Sequence, residues 1–106
     1  MRQGRMREPV WDIDVYDDGT TLYVTPEGEL DMYTAPTLAR AFERLDAQHR
    51  TLILEVSELT FIDSTGLKIL TTMRRDEPER FVLSGTSPAL ERVLELTDMA
   101  SLFKRM

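Results

Sequence analysis

Apolar and polar residues alternate along the first part of the chain in a pattern that is typical of β-strands. Residues 11–16 (WDIDVY) alternate strictly, and residues 21–25 (TLYVT) are rich in β-branched and aromatic side chains. The polar segment 17–20 (DDGT) separates them and contains a glycine. Because a short polar segment with glycine between two such runs is typical of a β-hairpin, we predict a hairpin here.

Three stripes of apolar residues at helical spacing follow, and two short apolar runs separate them. The stripes consist of Ala35, Leu38, Phe42 and Leu45, of Leu67, Leu70 and Met73, and of Leu90, Val93, Leu94 and Leu96. Spacings of three and four residues predict amphipathic helices with these side chains facing inward. Thr34 is the candidate N-cap of the first helix, and Ser87 opens the third. The runs 52–56 (LILEV) and 80–83 (RFVL) are typical of buried strands.

The element order β-β-α-β-α-β-α predicts an α/β fold with a mixed sheet of four strands. Strands that are separated by helices normally run parallel and are joined by right-handed crossovers. If both crossovers progress across the sheet in one direction, the helices lie mainly on one face. Ile53 and Val82 then lie on the opposite face. Whether residues 1–10, a partner, a second copy in a homodimer or nothing covers that face stays open.

The amino-acid composition reduces the number of functions that the chain could perform. A length of 106 residues indicates one domain. The chain has no cysteine, and its single histidine, His49, lies in a polar segment where we expect a solvated loop. We therefore expect no metal, no catalytic residues and no cofactor. No apolar run approaches the roughly 20 residues that span a bilayer, and no apolar stretch follows the basic start, so we expect a cytoplasmic protein without membrane insertion.

The formal net charge of −6 argues against nucleic acid as a partner. Binding to a phosphate backbone depends on clustered lysine and arginine, and an acidic body repels a polyanion. The start of the chain is the exception, because residues 1–8 hold three arginines and one glutamate. We expect residues 1–9 to form a flexible basic arm.

The carboxyl ends of parallel strands meet at one edge of a sheet, where α/β proteins tend to place their sites. The loops expected at this edge span residues 26–34, 57–66 and 84–88. In the second loop, Asp63 can cap the following helix and Gly66 permits close backbone approach. Ser64 then stands at the helix start, where backbone N–H groups would hold a phosphate on its hydroxyl. Capping alone, however, explains an isolated Asp-Ser-Thr-Gly sequence.

Three turns in register make the chain resemble the STAS domain of bacterial anti-sigma-factor antagonists. In that family a hydrophobic-Asp-Ser-Ser/Thr-Gly-Leu motif follows the strand to which residues 52–56 correspond, and its serine, which maps onto Ser64, is phosphorylated. Residues 28–31 (GELD) and 85–88 (GTSP) match two further turns of the family. The resemblance covers roughly residues 10–103, and we assign the STAS domain to residues 10–106.

The resemblance implies a regulator that works by partner switching. The unphosphorylated form would bind an anti-sigma factor with a kinase fold, which itself holds the ATP, and would free the sigma factor. Phosphorylation of Ser64 by that kinase would release the chain, and a serine phosphatase would reset it. The implied partner-binding residues are Asp31, Asp63, Ser64, Thr65 and Gly66. Two points stay open: whether Asp31 contacts the kinase or only caps a helix, and whether Thr65 is a second acceptor.

Two other interpretations compete with the switch. STAS domains also serve as accessory or scaffold subunits without phosphorylation, for example in lipid transporters. An enzyme that uses Asp31 and Asp63 as an acid–base pair is the other alternative. Both carboxylates have capping roles available, no cofactor motif accompanies them, and a small sheet with one helix layer offers little volume for a substrate pocket. We therefore do not expect an enzyme.

Overall fold

A mixed β-sheet packed against three helices forms the framework, in a computed structural model that describes residues 2–8 and 11–106. The elements in chain order are β1 (Arg2–Glu8), β2 (Trp11–Asp17), β3 (Thr21–Leu30), α1 (Ala35–Phe42), β4 (Thr51–Glu55), β5 (Leu59–Ile62), α2 (Ser64–Asp76), β6 (Phe81–Ser84), α3 (Pro88–Thr97), a 3-10 turn (Ala100–Leu102) and β7 (Lys104–Arg105). The strands are hydrogen-bonded in the order β1-β2-β3-β4-β6-β7, and β5 pairs with β3. This confirms the predicted α/β class and mixed sheet.

The predicted hairpin is confirmed by the antiparallel pairing of β2 with β3. Its turn is held by Asp18, whose Oδ1 accepts the N–H groups of Thr20 at 2.9 Å and Thr21 at 2.7 Å. The hydrogen bonds from the backbone of Thr21 and then of Thr20 lower the pKa of the Asp18 carboxyl. The contribution of this turn to stability is therefore present at neutral pH and is lost as the pH falls through that lowered pKa.

The core lies between the sheet and the helices, where alternate residues of the parallel strands β3, β4 and β6 point inward. In β4 and β6, Leu52 pairs with Phe81 and Leu54 with Leu83, and all four side chains are buried. The Phe81 ring makes T-shaped contacts with the rings of Phe42 and Phe103, with ring centroids 5.8 and 6.3 Å apart. The inward side chains of the helices are Ala35, Leu38, Ala41, Phe42, Leu67, Leu70, Leu90 and Leu94.

The opposite face of the sheet carries Ile53 and Val82, as the sequence predicts, together with two tyrosines. Tyr16, Tyr23, Ile53 and Val82 are neighbours in register across four strands, and the two tyrosine rings lie 5.6 Å apart. Ile53 and Val82 are half-buried rather than part of the core. The prediction that they face away from the main core is therefore confirmed.

The sheet has more strands than the four that the pattern predicts. Strand β5 comes from the segment that leads into the Asp63 turn, and it runs parallel to the end of β3 with Leu30 beside Ile62. Strand β7 runs parallel to β6. Both are too short for a periodic pattern to reveal, because β5 has four residues and β7 has two.

Residues Arg2–Glu8, expected as part of a flexible arm, form β1 in the structure and pair antiparallel with β2. The register sets Arg5 opposite Asp14 and Arg7 opposite Asp12. Pairing with β1 satisfies the backbone N–H and C=O groups along the outer side of β2, which an edge strand would leave open. Residues 1, 9 and 10 of the expected arm and domain boundary lie outside the described residues.

Helix α3 ends at Thr97, and one of the residues predicted to face inward does not. Asp98 adopts a left-handed backbone conformation with φ 57° and ends the helix, and the chain turns so that Phe103 packs into the core while Leu102 is exposed. Leu96, predicted to face inward, is 76% exposed. That prediction was wrong because Leu90 and Leu94, one helical turn apart, define the inner side, and a residue two positions further on points away from it.

His49 is buried, so the prediction of a solvated loop residue was wrong. Its Nε2 lies 2.9 Å from Oδ1 of Asp17 in the hairpin, and its Nδ1 lies 3.1 Å from the backbone nitrogen of Asp46. The Arg80 guanidinium donates to the carbonyl oxygens of Asp46 at 2.7 Å and His49 at 3.0 Å. The His49 ring therefore joins the hairpin turn to the loop between α1 and β4.

Replacing His49 by alanine is expected to lower the free energy of unfolding by about 1–3 kcal/mol, because it leaves buried polar groups without partners. Urea unfolding followed by circular dichroism measures this change. The exposed neighbour Gln48 provides the matched control, and Gln48→Ala is expected to unfold at the wild-type urea concentration. Equal midpoints for His49→Ala and Gln48→Ala would show that the ring contributes no net stability.

Candidate functional site

Two loops that are distant in sequence meet at the carboxyl ends of β3 and β5. Leu30 and Ile62 are register partners, and each is followed directly by an aspartate, Asp31 and Asp63. The Asp63 N–H donates to the carbonyl oxygen of Leu30 at 3.2 Å. The structure therefore brings the sequence-predicted residues Asp31, Asp63, Ser64, Thr65 and Gly66 to one edge of the sheet.

Asp63 is the N-cap of α2. Its Oδ1 accepts the Gly66 N–H at 2.9 Å, and its carbonyl oxygen accepts the Leu67 N–H at 2.9 Å. A capping aspartate typically stabilises a helix by about 1 kcal/mol, and its negative charge lies at the positive end of the helix dipole. This cap places Ser64 and Thr65 at the first two positions of α2.

Ser64 and Thr65 are both exposed. Within the part of the chain that the structure describes, neither hydroxyl has a hydrogen-bond partner. A hydroxyl in this position is accessible to another protein, and the backbone N–H groups of the first helical turn favour negative charge beside it. The Ser64 hydroxyl therefore lies exposed at the start of α2, where the sequence motif places it.

Gly66 is buried where α2 approaches the ends of β3 and β5. A Cβ atom at this position would lie 2.6 Å from the carbonyl oxygen of Leu30, 2.7 Å from its Cγ and 2.9 Å from Cγ1 of Ile62. These separations are shorter than van der Waals contact, so the helix start can occupy this position only with glycine. Gly66 thus sets how closely Ser64 is held to the Asp31 loop.

Asp31 organises its own loop with one of its two carboxylate oxygens. Oδ1 accepts the N–H groups of Tyr33 at 2.9 Å and Thr34 at 3.1 Å. Among the described residues, Oδ2 of Asp31 has no hydrogen-bond partner. Asp31 therefore orders the turn that leads into α1, whose N-cap is Thr34, and one of its oxygens remains available for a contact with another molecule.

Thr34 occupies the N-cap position of α1, as predicted, but its side chain makes no capping hydrogen bond. Its hydroxyl instead lies 2.8 Å from the carbonyl oxygen of Glu29 and accepts the Asp31 N–H at 2.9 Å. The Asp31 side chain supplies the oxygen that organises the turn. Thr34 therefore stabilises the loop internally and is buried.

Three large apolar side chains are exposed on the same two segments, and no pattern in the sequence singles them out. Met32, Tyr33 and Phe61 are exposed by 60%, 71% and 46%. Met32 and Tyr33 follow Asp31 directly, and Phe61 lies two residues before Asp63. The one sequence feature that could have indicated their exposure is that these apolar residues belong to none of the predicted helical stripes. Exposed apolar residues around a polar centre are characteristic of a protein-binding surface.

The third loop at this edge has a structural role. Ser87 is fully buried, donates its hydroxyl to the carbonyl oxygen of Leu59 at 2.7 Å and accepts the Leu90 N–H at 3.3 Å. It thereby caps α3, as predicted, and fastens that helix to β5. Gly85, with φ 76°, makes the turn before it.

The side chains of the predicted site offer the hydroxyls of Ser64 and Thr65 and the carboxylates of Asp31 and Asp63. No group of three or more His, Cys, Asp or Glu side chains suited to a metal ion occurs among the described residues. Across the same residues, no helix combines the length and apolar character that crossing a membrane requires. The arrangement is suited to reversible modification and to contact with a partner.

Comparison with known proteins identifies the family. A model of the STAS domain matches residues 12–106, so the chain belongs to the STAS domain family. It is 30% identical over 82 residues to an anti-sigma-B factor antagonist of Listeria monocytogenes, covering 73% of this chain and 71% of that protein. The predicted resemblance is thus confirmed.

Solved structures agree with this assignment. An anti-sigma factor antagonist from Mycobacterium paratuberculosis superposes with a TM-score of 0.78 at 29% identity, covering 94% of this chain and 89% of that one. The Bacillus cell fate determinant SpoIIAA in its phosphorylated form superposes with a TM-score of 0.60 at 19% identity, covering 89% and 90%. The second likeness shows the shared fold.

Proposed function

We propose that this chain is an anti-sigma factor antagonist that works by partner switching, with Ser64 as the phosphorylated residue. The observation that carries the proposal is the exposed Ser64 hydroxyl at the start of α2, between the capping Asp63 and the close-packed Gly66. The relatives named as anti-sigma factor antagonists support the general role. In the proposed cycle the unphosphorylated chain binds an anti-sigma factor and frees the sigma factor.

The proposed binding surface combines charge with apolar contact area. The free oxygen of Asp31 can accept a hydrogen bond from a basic group of the partner, while Met32, Tyr33 and Phe61 supply exposed apolar area on the same two segments. Centres of protein interfaces are typically apolar and aromatic with polar groups at the rim. Asp63 and Gly66 act indirectly, because they hold Ser64 in place.

Phosphorylation of Ser64 would oppose this contact in two ways. A phosphate adds a charge of about −1.5 to −2 beside Asp63. At an effective dielectric constant near 20, this charge and an acidic group of the docked partner about 6 Å away repel by roughly 3 kcal/mol per pair of unit charges before salt screening, which corresponds to about a hundredfold in affinity. The phosphate also occupies volume that a close-packed interface lacks. Release of the phosphorylated chain follows from both effects.

In this proposal the chain is a substrate and binding partner, not an enzyme. The anti-sigma factor is the serine kinase and holds the ATP, because Lys68 and Lys104 are the only lysines of this chain and neither lies in a Gly-rich phosphate loop. A serine phosphatase removes the phosphate. All of these partners, and the chain with them, would act in the cytoplasm.

The proposal is tested by incubating the purified chain with a kinase-fold anti-sigma factor of the same organism and labelled ATP. One phosphate per chain on Ser64 is the expected result, with no labelling of Ser64→Ala. Thr65→Ala tests the second candidate acceptor and should be labelled as fully as Ser101→Ala, an exposed serine variant far from the site. A phosphate on another residue, with Ser64→Ala still a full substrate, would remove the mechanism.

A further inference from the structure

A shallow groove of about 300 Å³ lies between α1 and α2, directly beside the proposed acceptor. Ala35 and Ala39 of α1 face Ile69 of α2 across it, and Thr65 forms part of its wall. Ala35 and Ala39 are one helical turn apart, so two methyl groups occupy positions where larger side chains would fill the space. The groove is therefore an apolar depression adjoining Ser64.

Lys68 is the one charged side chain that lines the groove within the described residues. The chain as a whole has a net charge of −6, so this ammonium group stands out against an acidic background. The described part of the chain offers it no ion-pair partner. The groove thus combines apolar surface with a single unpaired positive charge.

The open shape of the groove favours a protein occupant over a small molecule. Small ligands are usually enclosed over most of their surface, whereas this groove is widely open to solvent, and its lining includes Met32 and Thr65, the chain neighbours of Asp31 and Ser64. An apolar side chain inserted into a groove at the centre of an interface is a frequent source of binding energy. A segment that fits both features carries an apolar residue next to a carboxylate.

We propose that the groove receives an apolar side chain of the anti-sigma factor and that Lys68 pairs with a carboxylate of the same partner segment. This proposal rests on the proposed function, since it names a contact of the same binding surface. It assigns the contact to the unphosphorylated form of the chain.

Lys68 also couples the groove to phosphorylation. Ser64 and Lys68 both belong to α2 and are four residues apart, so their side chains are neighbours on the helix surface. An acidic group four residues before a lysine is the favourable order for an ion pair on a helix. Once Ser64 is phosphorylated, the Lys68 ammonium is attracted to the phosphate and is withdrawn from the partner's carboxylate. Lys68 therefore positions the partner in one state and the phosphate in the other.

The test measures the dissociation constant of the anti-sigma factor by calorimetry for the full chain in its unphosphorylated and phosphorylated forms. Ala39→Phe fills the groove and is expected to weaken binding of the unphosphorylated form about tenfold. Lys68→Met keeps the apolar stem and removes the charge, and it is expected to weaken the same binding about two- to fivefold. Binding of the phosphorylated form should be unchanged by Lys68→Met.

Matched controls separate the groove from general effects. Ala47→Phe adds the same bulk in an exposed loop, and Lys104→Met removes the other lysine, so both should bind within twofold of the wild type. In a phosphorus NMR titration of the phosphorylated chain, the phosphate of Lys68→Met should lose its second proton at a higher pH than that of the wild type. This readout does not depend on the partner.

The two proposals fail differently. If the wild type binds the anti-sigma factor and both groove variants bind equally well, the groove proposal is overturned and the proposed function stands. An unchanged phosphate titration in Lys68→Met would overturn the coupling to phosphorylation. If the wild type neither binds a kinase-fold anti-sigma factor nor is phosphorylated by it, the proposed function fails and the groove proposal fails with it.

Discussion

Ser64→Asp is expected to weaken binding of the anti-sigma factor about tenfold, and phosphorylation of Ser64 about a hundredfold, without altering the fold. The aspartate introduces one negative charge beside Asp63, whereas the phosphate introduces nearly two together with more volume. Because Ser64 is exposed and its hydroxyl has no partner in the described structure, the substitution removes no contact within the chain. The effect should therefore fall on binding alone.

Isothermal calorimetry gives the affinities, and the circular dichroism spectrum and urea midpoint report on the fold. Ser101→Asp makes the same change of charge in the exposed 3-10 turn and should bind like the wild type. Equal affinity of the unphosphorylated, phosphorylated and Ser64→Asp forms would count against the switch. A loss of binding in Ser101→Asp as well would show that total charge, not the position of Ser64, controls affinity.

Gly66→Ala is expected to destabilise the protein by about 1–3 kcal/mol, the usual range for adding a methyl group to a close-packed region. Helix propensity alone predicts the opposite effect on stability, because alanine is more favourable than glycine within a helix by about 1 kcal/mol. The contact of 2.6 Å between the added Cβ and the carbonyl oxygen of Leu30 decides the outcome. Relief of that contact pushes the first turn of α2 away from β3.

The displacement should also weaken binding of the anti-sigma factor about tenfold, because it moves Ser64 relative to Asp31. Thr71→Ala is the control within the same helix, since Thr71 already carries a Cβ atom and its hydroxyl donates to the carbonyl oxygen of Lys68 at 2.9 Å, and it should be neutral or slightly stabilising. Urea unfolding and calorimetry measure the two effects. A Gly66→Ala protein as stable as Thr71→Ala, with wild-type affinity, would contradict the close packing at this position.

Short-range sequence patterns were sufficient to predict the elements that depend on contacts between neighbouring residues. The β2–β3 hairpin and the three helices follow from alternation, helical spacing and capping residues, and the structure confirms all of them. Caps involve neighbours within three residues, as in the Asp63 contact with Gly66 and the Ser87 contact with Leu90. Such contacts form whenever the local sequence permits them, so the sequence predicts them well.

Features that depend on distant partners were not predictable from the same patterns. His49 is buried because Asp17, 32 residues earlier, supplies an oxygen for its ring. Strand β5 exists because β3 extends far enough to pair with it. Nothing in the residues around His49 or β5 indicates these partners. A single polar residue therefore appears in the sequence as a solvated one until the fold shows what surrounds it.

The candidate site likewise contains residues that the sequence identified and residues that only the structure revealed. The motif identified Asp63, Ser64 and Gly66 together with their order along the helix start. It did not identify the exposed side chains of Met32, Tyr33 and Phe61, nor the groove that contains Lys68. Exposure depends on how α1 and α2 pack against each other, and the sequence of either helix alone does not determine that packing.

The amino-acid sequence by itself determined the α/β class, the family resemblance and the hydroxyl on which the proposed switch acts, because periodicity, caps and short motifs are properties of neighbouring residues. Only the tertiary structure decided that this hydroxyl is exposed, that Asp31 retains a free oxygen and that an apolar groove with one ammonium group adjoins the acceptor. These properties arise where β3, β5, α1 and α2 converge, and convergence of distant segments is set by the packing of the whole core rather than by any local stretch of chain.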